Sequence, residues 1–192
     1  MTGSIVTAPT ATSHWQKLVH EAQQAAGIEL DEQLESYLVF LLMRFTGDVR
    51  MAARVMALDY LEGMLAAGRE RHDRLRDVGD HCLLVSGLFP RRAERRRVKV
   101  SYFVRLGRTA YADLGARLEA GLAGLYRDLA EGFVSLMDTL QAVRRLGGEP
   151  ALTPLQALEL WADTGSAEAL QSVSTHTDSV PVVGKDGGAG PH

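Results

Sequence analysis

LAGLYRDLAEGFVSLMDTLQAV, residues Leu122 to Val143, decides the fold class. Its large apolar residues, Leu122, Leu125, Leu129, Phe133, Leu136, Leu140 and Val143, step by three and four over six turns. That spacing puts them on one stripe of an α-helix and predicts a central packing helix. Gly147-Gly148 ends it. Downstream, Thr153-Pro154 with Gln156 supplies an N-cap, a proline at the first helical position and a capping-box partner. The helix so opened carries Leu155, Leu158 and Trp161 and stops at Gly165, and Ser166 can cap one or two further turns.

The upstream half reads the same way. A first helix is expected over His14–Ala26, ended by Gly27. Asp31 can cap a second helix with the stripe Leu34, Leu38, Leu41 and Phe45, and Gly47 stops it. Asp48 can cap a third at once, with Ala52, Val55, Met56, Tyr60 and Met64 on its buried side. So short a link predicts an antiparallel pair. A fourth helix over Glu70–Leu88 changes from charged on most faces to apolar on all of them at Cys82–Val85, and Pro90 breaks it. Val98, Val100, Tyr102 and Val104 alternate as in a short strand, but a lone strand has nothing to pair with. Ser101 is therefore read as the cap of a helix carrying Phe103, Leu106, Ala110, Leu114 and Leu118. The expectation is an all-α, single-domain bundle of six to seven helices over residues 13–173, with a disordered lead-in at 1–12 and a disordered tail at 174–192.

Charge is the anomaly. Residues 91–108 hold Arg91, Arg92, Arg95, Arg96, Arg97, Lys99, Arg105 and Arg108 against one acid, Glu94. The remaining chain carries 13 basic and 23 acidic residues, so the net charge of −3 hides a basic zone on an acidic body. Such a zone is either a solvated connector paired with the chain's own acids, such as Glu70, Asp73 and Asp77, or a surface for an anionic partner, an acidic protein or nucleic acid. Guanidinium groups offer paired donors to carboxylate or phosphate, and Tyr102 and Phe103 follow with rings that could stack on bases. No RNP motif, KH loop or zinc finger accompanies them.

Gly79 and Gly87, and Gly107 and Gly115, lie eight apart on one face of their respective helices. Four interior glycines cost roughly 4 kcal/mol of helix propensity, which calls for compensation. Close helix crossing supplies one. The other is a ligand pocket floored by glycine between helices 70–88 and 102–119, with Asp77, His81 and Tyr111 as its polar groups. Asp77 and His81 share a helix face, but a metal centre needs three or four convergent ligands, so no metal or cofactor is assigned. Cys82, in apolar company, reads as an inert buried thiol.

No catalytic residue is assigned either, since phosphate-binding glycine loops and the nucleophile elbow are absent. The outline of a helix-turn-helix over Thr153–Val173 fails because its second helix offers Gln171 and Glu168 where a DNA reader presents cations. A single cysteine fits a reducing compartment, and the cytoplasm is the expected location. The longest apolar run, Tyr37–Met43, is far short of the roughly 20 residues that span a bilayer, so no membrane insertion is expected. The composition is compatible with a homo-oligomer. The function expected is that of a non-catalytic interaction or regulatory protein working through its arginine segment.

Overall fold

The computed structural model describes residues 11–47, 56–95 and 97–176. Among the described residues the fold is all-α, with ten helices and no strand: α1 (Ala11–Ala26), α2 (Glu32–Gly47), α3 (Met56–Leu65), α4 (Gly68–Gly87), α5 (Pro90–Arg95), α6 (Val100–Gly115), α7 (Ala120–Glu131), α8 (Phe133–Leu146), α9 (Pro154–Thr164) and α10 (Ala167–His176). The two expected disordered ends fall on residues outside these, apart from Ala11 and Thr12, which open α1, and Ser174–His176, which close α10. No described helix is long and apolar enough to cross a membrane.

The count exceeds six to seven for local reasons. Pro90 does not merely end α4; it opens the short helix α5, with proline at the position whose N–H has no partner anyway. The expected central helix is two helices. At Gly132 the backbone turns to φ −79°, ψ 5°, and a β-carbon there would stand 2.8 Å from Leu34 Cδ1. Leu34 of α2 thus seats against the break, which only a glycine leaves open. Beyond it α8 buries Phe133, Leu136, Met137 and Leu140 fully, whereas Leu122 of α7 is 52% exposed.

Helix α4 is the hub and packs on α6, α3 and α8; α1 lies on α2 and α8, and the α9/α10 pair rests on α8 and α6. The expected α2/α3 pairing is not found among the described residues: α3 packs on α4, where Gly63 lets it approach Leu75 and Arg74. Asp48, Ala52 and Val55, and the side chain of Met56, lie outside the described residues.

Several local readings hold. Asp31 Oδ1 accepts from Leu34 N at 2.9 Å. The Thr153 capping box closes, with Thr153 N donating to Gln156 Oε1 at 2.9 Å. Ser166 Oγ accepts from Ala169 N at 3.0 Å. Gly27 and Gly165 take left-handed φ values of 65° and 74°. Two readings need correction. Ser101 does not cap α6: Lys99 holds that position, and the buried Ser101 hydroxyl donates to Asp163 Oδ2 at 2.7 Å. In α9 the inward face is Ala157 and Leu160, with Trp161 packed partly against the core, while Leu155 is 68% and Leu158 37% exposed.

The glycine pairs are crossings. A β-carbon at Gly79 would lie 2.3 Å from Tyr111 Cε1, one at Gly87 2.4 Å from Leu140 Cβ, and one at Gly107 2.5 Å from the Phe133 ring and 2.8 Å from Cys82 Cβ. Large side chains of neighbouring helices fill the vacated volume, recovering by dispersion what the helix loses in propensity. Helix α4 sits at the middle of the core for this reason.

Candidate functional site

The arginine segment is held from beneath by a few apolar anchors. Ala93 is fully buried, and its carbonyl accepts from Val98 N at 3.0 Å, closing the turn after α5. With Ala93 inward, Arg91 and Arg95 face solvent. The Arg92 guanidinium lies over the Phe89 ring, 4.7 Å from its centroid, a cation–π contact. Val100, Phe103 and Val104 bury the inner face of α6 and turn Arg105 and Arg108 outward. Arg97 is exposed and takes φ 56°, in the left-handed region that costs a side-chain-bearing residue roughly 1–2 kcal/mol. Arg96 lies outside the described residues.

The three acids that the sequence offered as partners for this segment are engaged by other arginines. Glu70 pairs with Arg74 at 3.1 Å. Asp73 pairs with Arg69 at 3.9 Å and Arg76 at 3.5 Å. Asp77 stands 3.5 Å from both Arg44 and Arg76. Within the segment, Lys99 pairs with Glu159 at 3.3 Å, across a recess of about 270 Å³ lined by Arg97, Ser101 and Asp163 among others. Arg108 Nε donates to the Ala130 carbonyl at 3.1 Å. Arg91, Arg95, Arg97 and Arg105 make no ion pair among the described residues. The two aromatic residues are not open platforms: Phe103 is buried, and Tyr102 is half-buried with its ring edge-on to Phe103 at 5.4 Å.

The second set of residues divides. Asp77 and His81 line a surface recess of about 500 Å³ between α3 and α4, together with Asp59, Asp73 and Arg74. His81 Nδ1 donates to the Asp77 carbonyl at 3.2 Å. Tyr111 does not line that recess. It is fully buried, and its hydroxyl donates to Asp80 Oδ1 at 2.6 Å. Cys82 is buried, and desolvation pushes its thiol far above the ordinary range.

Asp80 centres a polar cluster that the sequence reading did not assemble. The Tyr37 hydroxyl donates to the same Oδ1 at 2.5 Å, and Arg44 Nη2 donates to Oδ2. Burial raises the Asp80 carboxyl above the carboxylate norm, opposed by Arg44 and by the two tyrosine hydroxyls. Burial and the neighbouring carboxylate raise both tyrosines well above 10. Rings extend the cluster: Tyr111 stands 6.2 Å from Tyr37 and 6.0 Å from Tyr126, whose hydroxyl meets His72 Nε2 at 3.1 Å. An acid inside the apolar run Val78–Val85 was the available signal, since a buried carboxylate must be paired. Its partners, 43, 36 and 31 residues away in sequence, were not legible locally.

Asp138 is the other buried acid. Oδ1 accepts from Ser166 Oγ at 2.6 Å and Oδ2 from Ala167 N at 2.8 Å, so α8 caps the start of α10. With Glu168 buried and held by Arg145 at 2.8 Å, the front of α10 is fastened to the bundle. Among the described residues no group of three or more His, Cys, Asp or Glu could hold a metal ion. The chain matches no protein-family model, no curated protein and no solved structure.

Proposed function

We propose that this is a non-catalytic interaction or regulatory protein whose arginine segment, residues 91–108, engages an anionic partner. The observation that supports this reading is the unequal sharing of charge. Arg91, Arg95, Arg97 and Arg105 project into solvent without an ion pair among the described residues, while Glu70, Asp73 and Asp77 are engaged by Arg44, Arg69, Arg74 and Arg76. Exposed guanidinium groups gain little from lone surface contacts but bind a dense array of carboxylates or phosphates collectively. The other reading, a small-molecule or metal site between α4 and α6, draws less support, because neighbouring side chains occupy the volume beside Gly79 and Gly107.

Heparin chromatography tests the proposal. The wild-type chain is expected to be retained and to elute with a steep dependence on salt, as cation-driven binding to a polyanion requires. A variant with Arg91, Arg95, Arg96 and Arg97 changed to serine should elute markedly earlier. Co-elution of the two proteins would remove the segment from the binding surface.

A further inference from the structure

The outward face of α6 carries Arg105, Arg108, Thr109, Ala112 and Ala116, all exposed. Their spacing of three and four aligns them in one stripe that none of the described helices covers. Beside the stripe, α7 contributes Arg127, Ala130 and Glu131, and with Gly115 the two helices enclose an open trough of about 430 Å³. Its depth has a cause in the backbone. A β-carbon at Gly115 would stand 3.1 Å from Arg127 N and 3.2 Å from the Ala123 carbonyl, so the helices cross closely and leave a floor of small side chains. Arg108 reaches across from α6 to α7, its Nε donating to the Ala130 carbonyl at 3.1 Å, and bounds one end of the trough. Arg127, exposed on α7, makes no ion pair among the described residues.

This inference rests on the reading that the arginine segment binds an anion, and it names the partner. We propose that an acidic amphipathic helix of another protein lies in the α6/α7 trough. Its carboxylates meet Arg105, Arg108 and Arg127, and its apolar side chains cover Ala112 and Ala116. The charge pattern and the floor select this occupant together. Ridges of an incoming helix fit between small side chains, where two helices can approach closely. A nucleic acid would bring phosphates to Arg105 and Arg108 as readily, but it has no aliphatic side chain to cover an alanine floor. Its bases would find little open ring face on the segment, since Phe103 is buried and Tyr102 is half-buried and edge-on to it. Glu131 on the α7 side of the trough repels phosphates, whereas an amphipathic helix can answer it with a lysine.

The test uses the full chain and a labelled helical peptide of about five turns, with glutamates spaced to pair with arginines and leucines between them. A labelled single strand of about 20 nucleotides serves as the comparison probe. Ala112→Trp with Ala116→Trp fills the trough from two solvent-exposed positions, and Ala116→Glu places a charge on its floor without bulk. Circular dichroism melting checks that each variant folds. The wild type is expected to bind the peptide, and either variant to weaken it about tenfold or more, with heparin elution unchanged for the tryptophan variant because its arginines remain. Equal peptide affinity for wild type and both variants would overturn the trough while leaving the arginine reading standing. So would binding of the oligonucleotide without the peptide, which would make nucleic acid the partner. If the wild type were not retained on heparin at all, both the reading and the inference would fall.

Discussion

Gly79 of α4 lies against the ring of Tyr111 of α6 so closely that a β-carbon at residue 79 would come within 2.3 Å of Cε1 and 2.6 Å of Cδ1. The ring cannot step aside. Its hydroxyl is tied to Asp80 at 2.6 Å, and Phe133 stands behind it at 6.0 Å between centroids. Gly79→Ala should therefore destabilise the fold by about 1–3 kcal/mol through overpacking, although alanine is the better helix former by about 1 kcal/mol. Gly124 of α7 provides the control, because nothing stands within 4 Å of its β-carbon position. Gly124→Ala should stabilise by about 0.5–1 kcal/mol. Urea denaturation of both variants reads the two signs, and equal signs would contradict the crossing geometry.

Asp80 joins α2, α4 and α6 through Tyr37, Arg44 and Tyr111. Removing the carboxylate leaves two buried hydroxyls without their acceptor and Arg44 without its innermost partner. Asp80→Ala is expected to cost about 3 kcal/mol or more, in the range found when one member of a buried charged network is deleted. Tyr111→Phe removes a single bond to that carboxylate and should cost about 1–2 kcal/mol. Chemical denaturation would show the ordering, and a Tyr111→Phe loss equal to that of Asp80→Ala would mean that Tyr37 and Arg44 contribute nothing to the cluster.

The contrast between these sites shows where sequence reading succeeds. Asp31, Thr153 with Gln156, Ser166, Gly27 and Gly165 act on backbone groups within a few residues, so their identities and spacing carry the information. The break at Gly132 is different. The apolar steps of three and four continue across it from Leu129 to Phe133 and Leu136, so periodicity reads one helix, and the cause lies in Leu34 of a distant helix. The Asp80 cluster was half legible: an acid among Val78, Cys82 and Leu83 announces a need for partners, but chain distance hides which residues meet it. Likewise, composition located the arginine segment, but only the pairing of Glu70, Asp73 and Asp77 with other arginines showed how the segment's charge is left.

Asp138 sets a pH dependence whose sign follows from its environment. Burial pushes its carboxyl up to about 6 from an ordinary value of 3.8, against the bonds from Ser166, Glu168 N and Ala167 N that favour the anion. Between pH 4 and 6 the native state therefore holds a proton that the unfolded chain has released. This group's contribution to stability is fully present below about pH 4 and is lost as pH rises through about 6, a change on the order of 3 kcal/mol. Asp138→Asn keeps an acceptor for Ala167 N and does not titrate. Its stability should vary less over that window than the wild type's, measured by urea midpoints at pH 4, 5, 6 and 7. Parallel curves for the two proteins would show that Asp138 titrates normally.

Arg97 separates the demands of folding from those of charge. At φ 56° it occupies backbone space in which glycine carries no side-chain penalty, and its side chain is exposed without an ion pair among the described residues. Removing the side chain thus relieves strain and breaks no contact that holds the bundle. Arg97→Gly is expected to raise stability by about 1 kcal/mol, after allowing for the greater freedom of glycine in the unfolded chain. The same change removes one guanidinium from the basic surface, so the variant should leave heparin at lower salt. Opposite movements of the urea midpoint and the heparin elution are the expected pair. A variant that loses stability while keeping its retention would place Arg97 among the supports of the α5–α6 turn and take it out of the docking surface.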